Sequence, residues 1–134
     1  MRIWTNGCFD ILHRGHIEML AYAKSLGDYL IVGIDSDDRV KKLKGAPRPI
    51  NNQEDRKKML EVIQYVDHVV IFDDDENLER SIKNSKAHTM VVGSDWEGKE
   101  IIGSSAVSRV VYFDRLRDYS TTNIIEKVNN DIRI

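Results

Sequence analysis

Five short runs of β-branched and aromatic residues, at positions 2–6, 29–35, 68–72, 89–93 and 110–113, show little polar alternation. Such runs suit strands buried on both faces of a parallel sheet. Between them the apolar spacing becomes helical. Ile17, Leu20, Ala21 and Lys24 share one face, and Gly27 stands where a helix would stop. Met59, Leu60 and Ile63 mark a second helix that starts near Asn51 or Asn52, just past Pro49. Leu78 and Ile82 mark a third, shorter one. Positions 121–128, with Ile124, Ile125 and Val128, mark a C-terminal helix behind a Ser/Thr cap. This alternation predicts an α/β domain with right-handed crossovers: a five-stranded, mainly parallel sheet with helices on both faces. With no internal repeat, low-complexity tract or linker, residues 1–134 read as one domain.

Composition narrows the function classes. The formal net charge of -2 gives no overall field for nucleic acid or an anionic membrane, so neither is expected as a partner. An anionic ligand must be held by a local site. The apolar run at 69–72 is far too short to span a bilayer, and the first residues turn polar at once. One cysteine, Cys8, makes no internal disulfide. These features predict a cytoplasmic protein.

The most informative segment is Thr5-Asn6-Gly7-Cys8-Phe9-Asp10-Ile11-Leu12-His13-Arg14-Gly15-His16, after the first strand and before the first helix. Gly7 suits a sharp turn, and Gly15 suits close approach of a ligand. His16 falls at a helix N-terminus, where unpaired N–H groups and the dipole favour anions. Two imidazoles three residues apart can both aim N–H donors at a polyphosphate. The bare spacing would equally fit a metal pair or two structural caps. Its position between strand and helix favours the phosphate reading.

The string resembles the signature of the cytidylyltransferase-like nucleotidyltransferases, a family with a Rossmann-like fold and a His-x-Gly-His motif. The resemblance implies that His13 and His16 bind a nucleoside triphosphate and stabilise charge as pyrophosphate leaves. It implies that Asn6, Gly7, Cys8, Phe9 and Gly15 form the nucleotide loop. It places Lys44, in the basic loop Lys41-Lys42-Leu43-Lys44, on the transferred phosphate as a third catalytic group. Asp37 matches a family carboxylate, though it could also be a helix N-cap. Arg56 matches an arginine that supports the acceptor, and Arg48 is a lesser candidate. Asp67, in a stretch resembling the family's Arg-Tyr-Val-Asp-Glu-Val, could instead join helix to strand.

Gly93-Ser94-Asp95-Trp96 resembles the family's Gly-x-Asp-Trp motif, in which Asp95 accepts from base or ribose and Trp96 offers a stacking face. An exposed turn is the competing reading. Arg115 and the run Ser120-Thr121-Thr122 resemble the family's last phosphate cradle. The chain departs from the family between them, with Leu116-Arg117-Asp118-Tyr119 where Thr-x-Gly-Ile is usual. Asp73-Asp74-Asp75-Glu76 reads as a solvated helix start, and no protein metal site is expected. Mg²⁺ is expected on the triphosphate.

Within the family, 5–10, 43–49 and 120–125 resemble the adenylyltransferases that make ADP-glycero-manno-heptose for lipopolysaccharide. The segment Asp95-Trp96-Glu97-Gly98-Lys99 resembles glycerol-3-phosphate cytidylyltransferases. Expected partners are therefore ATP or CTP, a small phosphorylated metabolite and a second copy of the chain. A nucleotide-binding regulator without turnover is the rival class.

Overall fold

Strand β1 (Arg2–Gly7) sends Ile3 to one face of the sheet and Trp4 to the other, and both side chains are fully buried. The computed structural model describes residues 1–114 and 120–132. After β1 come α1 (Arg14–Ser25), β2 (Tyr29–Asp35), α2 (Asp37–Lys44), α3 (Gln53–Glu61), β3 (His68–Phe72) and α4 (Asp75–Ser85). Then follow β4 (Thr89–Gly93), a 3-10 turn at Ser94–Trp96, another at Ser104–Ala106, β5 (Arg109–Phe113) and α5 (Thr121–Ile132). The strand order is β3-β2-β1-β4-β5, and all four pairings are parallel.

On one face, Leu20 and Ala23 of α1 and Leu60 of α3 pack on Ile3, Leu30, Val32, Ile34 and Val69. On the other, Leu78 and Ile82 of α4 pack on Trp4, Ile31, Phe72 and Met90. A Cβ on Gly33 would lie 2.5 Å from Cζ2 of Trp4, so the indole fills the space a side chain would take. Its N–H donates to Asn6 Oδ1 at 2.8 Å, which satisfies a buried donor. Asp67 proves to be a joint: its carboxylate accepts from the Leu30 N–H at 2.8 Å and from Lys24. No helix among the described residues is long and apolar enough to cross a membrane.

Two local expectations need correcting. Lys41 to Lys44, expected as a basic loop, fall in α2, which is capped by Ser36 and ended by Gly45 at φ 76°. Only Val40 of that helix is buried, so no apolar period marks it. The buried face of α3 carries Arg56 and Leu60, whereas Met59 is 55% exposed. Gly27 stands just past the end of α1, as expected, where Leu26 closes the helix in right-handed conformation. Glycine is needed there because a Cβ would fall 2.3 Å from the Met1 carbonyl.

Candidate active site at the carboxyl edge of the sheet

The strand order reverses at β1, between β2 and β4, and such a switch point opens a crevice beyond the carboxyl ends of the strands. The buried Thr5 hydroxyl donates across that junction to the Val91 carbonyl at 2.9 Å. Past Gly7 the chain turns sharply, but not where the sequence suggested. The left-handed residue is Phe9, at φ 50°. A non-glycine residue held there costs on the order of 1–3 kcal/mol, a strain typical of ligand-binding loops. Gly7 instead makes room for the Phe9 ring, which a Cβ would meet at 3.2 Å.

His13 and His16 form the start of α1 themselves. His13 is the N-cap, and its Nδ1 accepts from the Gly15 N–H at 3.0 Å. His16 reaches back, its Nδ1 accepting from the His13 N–H at 3.2 Å. This is a reciprocal capping box built from two imidazoles in place of the usual hydroxyl and carboxylate. Because each Nδ1 is an acceptor, the ring proton of each sits on Nε2. The rings stack with centroids 3.8 Å apart, and Phe9 lies 5.1 Å from His16. The capping and catalytic readings of the pair are thus compatible, since capping uses Nδ1 of each ring and places the ring N–H on Nε2.

Around this turn, two buried charges stitch the neighbouring loops together. The carboxylate of Asp10 accepts from the Ile50 N–H at 2.7 Å, the Asn51 N–H at 2.8 Å and Arg48 Nε at 3.2 Å. Arg56, fully buried, donates to the carbonyls of Cys8 (3.0 Å), Asp35 (2.7 Å) and Asn51 (2.9 Å), and to Asp37 Oδ1 (2.8 Å). Arg56, expected to support the acceptor site, thus has four of its donors committed inside the protein. Asp37 is the first residue of α2, and the cap is Ser36. Asp37 serves as Arg56's partner while remaining partly exposed.

The other predicted segments reach the same edge. Gly93 ends β4, Asp95 lies in the following turn, and Trp96 is 44% exposed with Lys99 Nζ 6.0 Å from its ring centre. Ser120 caps α5, its Oγ accepting from the Asn123 N–H at 3.0 Å. The Thr121 hydroxyl donates to the Ile11 carbonyl at 3.1 Å, tying the start of α5 to the signature loop. Arg115 lies outside the described residues.

The Cytidylyltransferase-like family profile matches residues 4–127. The chain belongs to the cytidylyltransferase-like family, and so to the nucleotidyltransferases. It is 48% identical over 128 residues, 96% of its length, to the bifunctional protein HldE of Campylobacter concisus. The HldE of Campylobacter fetus subsp. fetus is 51% identical over 126 residues, or 94% of the chain. The chain spans 27% of the length of each of these relatives. Among solved structures, the lipopolysaccharide core biosynthesis protein of Thermoplasma volcanium superposes with a TM-score of 0.72 at 22% identity. That match covers 87% of this chain and 98% of the other. It is a likeness of fold.

The electrostatics of this cytidylyltransferase-like site are local. Burial pushes the Cys8 thiol up, against the opposing charges of Lys44 and Arg56. A thiol held protonated is a poor nucleophile. Lys44, exposed at the end of α2, is near enough for its charge to act on the signature loop. Among the described residues, no group of three or more His, Cys, Asp or Glu is placed to hold a metal ion. In the acidic run, Asp74 caps α4 by accepting from the Asn77 N–H at 2.7 Å, and Asp75 pairs with Arg39 at 2.8 Å. Two open concavities of about 450 Å³ lie away from the histidines. One is between the start of α4 and residues 100–105, the other beside Asn123, Glu126, Lys127 and Asn130 of α5. Asp10 and Asn51 are the residues that the sequence reading missed. A carboxylate inside the otherwise apolar stretch Cys8-Phe9-Asp10-Ile11-Leu12 was the available signal.

Proposed function

We propose that this chain transfers an adenylyl group from ATP to a sugar 1-phosphate of the D-glycero-β-D-manno-heptose type, releasing pyrophosphate. The observation that carries the reading is the histidine capping box, with its two Nε2–H edges at a helix N-terminus on the switch-point edge of the sheet. Identity of 48% and 51% to two HldE proteins, and the segments shared with heptose adenylyltransferases, support the choice of base and acceptor.

The acceptor phosphate oxygen attacks the α-phosphorus in line. A new P–O bond forms, the bond to the bridging α,β-oxygen breaks, and its electron pair leaves on pyrophosphate. The substrate supplies the nucleophile, so the protein's task is to bring two anions together and stabilise the charge that develops. His13 and His16 donate from Nε2 to triphosphate oxygens, Lys44 offsets the repulsion between phosphates, and the α1 N-terminus adds its dipole. Asn6, Gly7, Cys8, Phe9 and Gly15 line the phosphates. Gly93, Asp95 and Trp96 hold the nucleoside, and Ser120 and Thr121 close the far side with Arg115. Mg²⁺ bound to the triphosphate would supply partial neutralisation of its charge. A cytoplasmic homodimer is the assembly that goes with this reading.

The test is pyrophosphate release for ATP and CTP, each against heptose 1-phosphate and glycerol 3-phosphate. ATP with the heptose phosphate is expected to be fastest. Preference for CTP with glycerol 3-phosphate would shift the assignment to the cytidylyltransferase branch, and silence with every pair would end the enzyme reading.

A further inference from the structure

We propose that Asp10 and Arg56 are positioning residues for the transfer, two buried charges that hold α2 and the 48–51 segment in fixed relation to the histidine loop. The proposal rests on the transfer reading above. Asn51 is gripped three ways: its N–H by the Asp10 carboxylate, its carbonyl by Arg56 Nε, and its side-chain Nδ2 by the Asp10 carbonyl at 3.1 Å. Arg56 also joins Asp37, at the start of α2, to the Cys8 and Asp35 carbonyls. The start of helix α2, which carries Lys44 in its last turn, is therefore referenced to the β1–α1 loop, and Asp10 holds the 48–51 segment that follows the helix. Lys44 itself is exposed. Neither Asp10, 4% exposed, nor Arg56, 1% exposed, is open to substrate, so any effect on turnover must pass through what they hold.

Asp10→Asn turns one acceptor oxygen into an N–H donor facing the amides of Ile50 or Asn51. Arg56→Lys keeps the charge but cannot bridge four acceptors. In the full chain, each change is expected to lower kcat by about 30-fold or more, as small misplacements of reacting groups do. The KM for ATP should stay within about threefold, since the histidines remain in place. Amide exchange without substrate should quicken at Ile50 and Asn51 by at least about tenfold, with the strand amides unchanged. Should both variants fail to fold, Asn51→Ala decides. That residue is exposed and loses only its Nδ2 contact, with a kcat loss of about threefold and faster exchange confined to the same segment.

Unchanged exchange at Ile50 and Asn51, undiminished kcat, or a loss appearing only in the KM for ATP would overturn the proposal. Wild-type protein that releases no pyrophosphate would instead sink the transfer reading, while the exchange measurement would still judge the latch.

Discussion

His13 and His16 each have a structural nitrogen and a chemical one, and substitutions can separate the two. Asparagine at position 13 retains an acceptor for the Gly15 N–H and is a good N-cap. His13→Asn is therefore expected to unfold within a few tenths of a kcal/mol of wild type in urea, yet to lose about 100-fold in kcat, the scale for deleting one charge-stabilising donor. His13→Ala should lose similar activity and about 1 kcal/mol of stability besides. Near-wild-type turnover in His13→Asn would reduce the imidazole to a cap. His16→Ala, which removes the returning arm of the box, is expected to cost about 100-fold in kcat as well. The sequence showed both residues and their spacing. It did not show their tautomer, because that follows from which backbone N–H each Nδ1 meets.

At the scale of elements, caps and charges explain both what was legible and what was not. Asp74 caps helix α4, its carboxylate accepting from the Asn77 N–H in an exposed first turn. Asp74→Ala is expected to lower stability by about 1 kcal/mol in denaturant titration and leave pyrophosphate release unchanged. A fall in turnover would mean that α4 feeds the site. Helix α2 lacks an apolar stripe, yet its charges follow the dipole, with Asp37 and Asp38 in the first turn and Lys41, Lys42 and Lys44 in the last. That pattern, with Ser36 before it and Gly45 after it, was the readable sign of a helix. The face of α3 was misjudged because its most buried polar residue, Arg56, looks like surface to any hydrophobicity count.

Across the whole molecule, long-range ties set the response to acid. Asp67 joins the approach to β3 to the first residues of β2 and to α1 through Leu30 and Lys24. Burial pushes its carboxyl up, but the Lys24 ammonium and the Leu30 N–H outweigh that and hold it below the ordinary value. A depressed native pKa means that the stabilisation is present above the unfolded pKa of about 4 and fades as pH falls through the native one. Asp67→Asn should therefore flatten the acid limb of a stability-against-pH curve; an unaltered slope would show that Asp67 is not among the groups that set it. The sequence alone determined the five strands and the existence of four of the helices, because period and β-branching are local properties of the chain. It also marked the histidine signature, whose residues are contiguous. Tertiary structure alone decided that Arg56 faces inward, that Phe9 and not Gly7 takes the left-handed turn, and that Asp10 clasps a loop some 40 positions away. Those outcomes depend on which carbonyls and amides meet when separate strand ends are brought to one edge, and no local pattern encodes such a meeting.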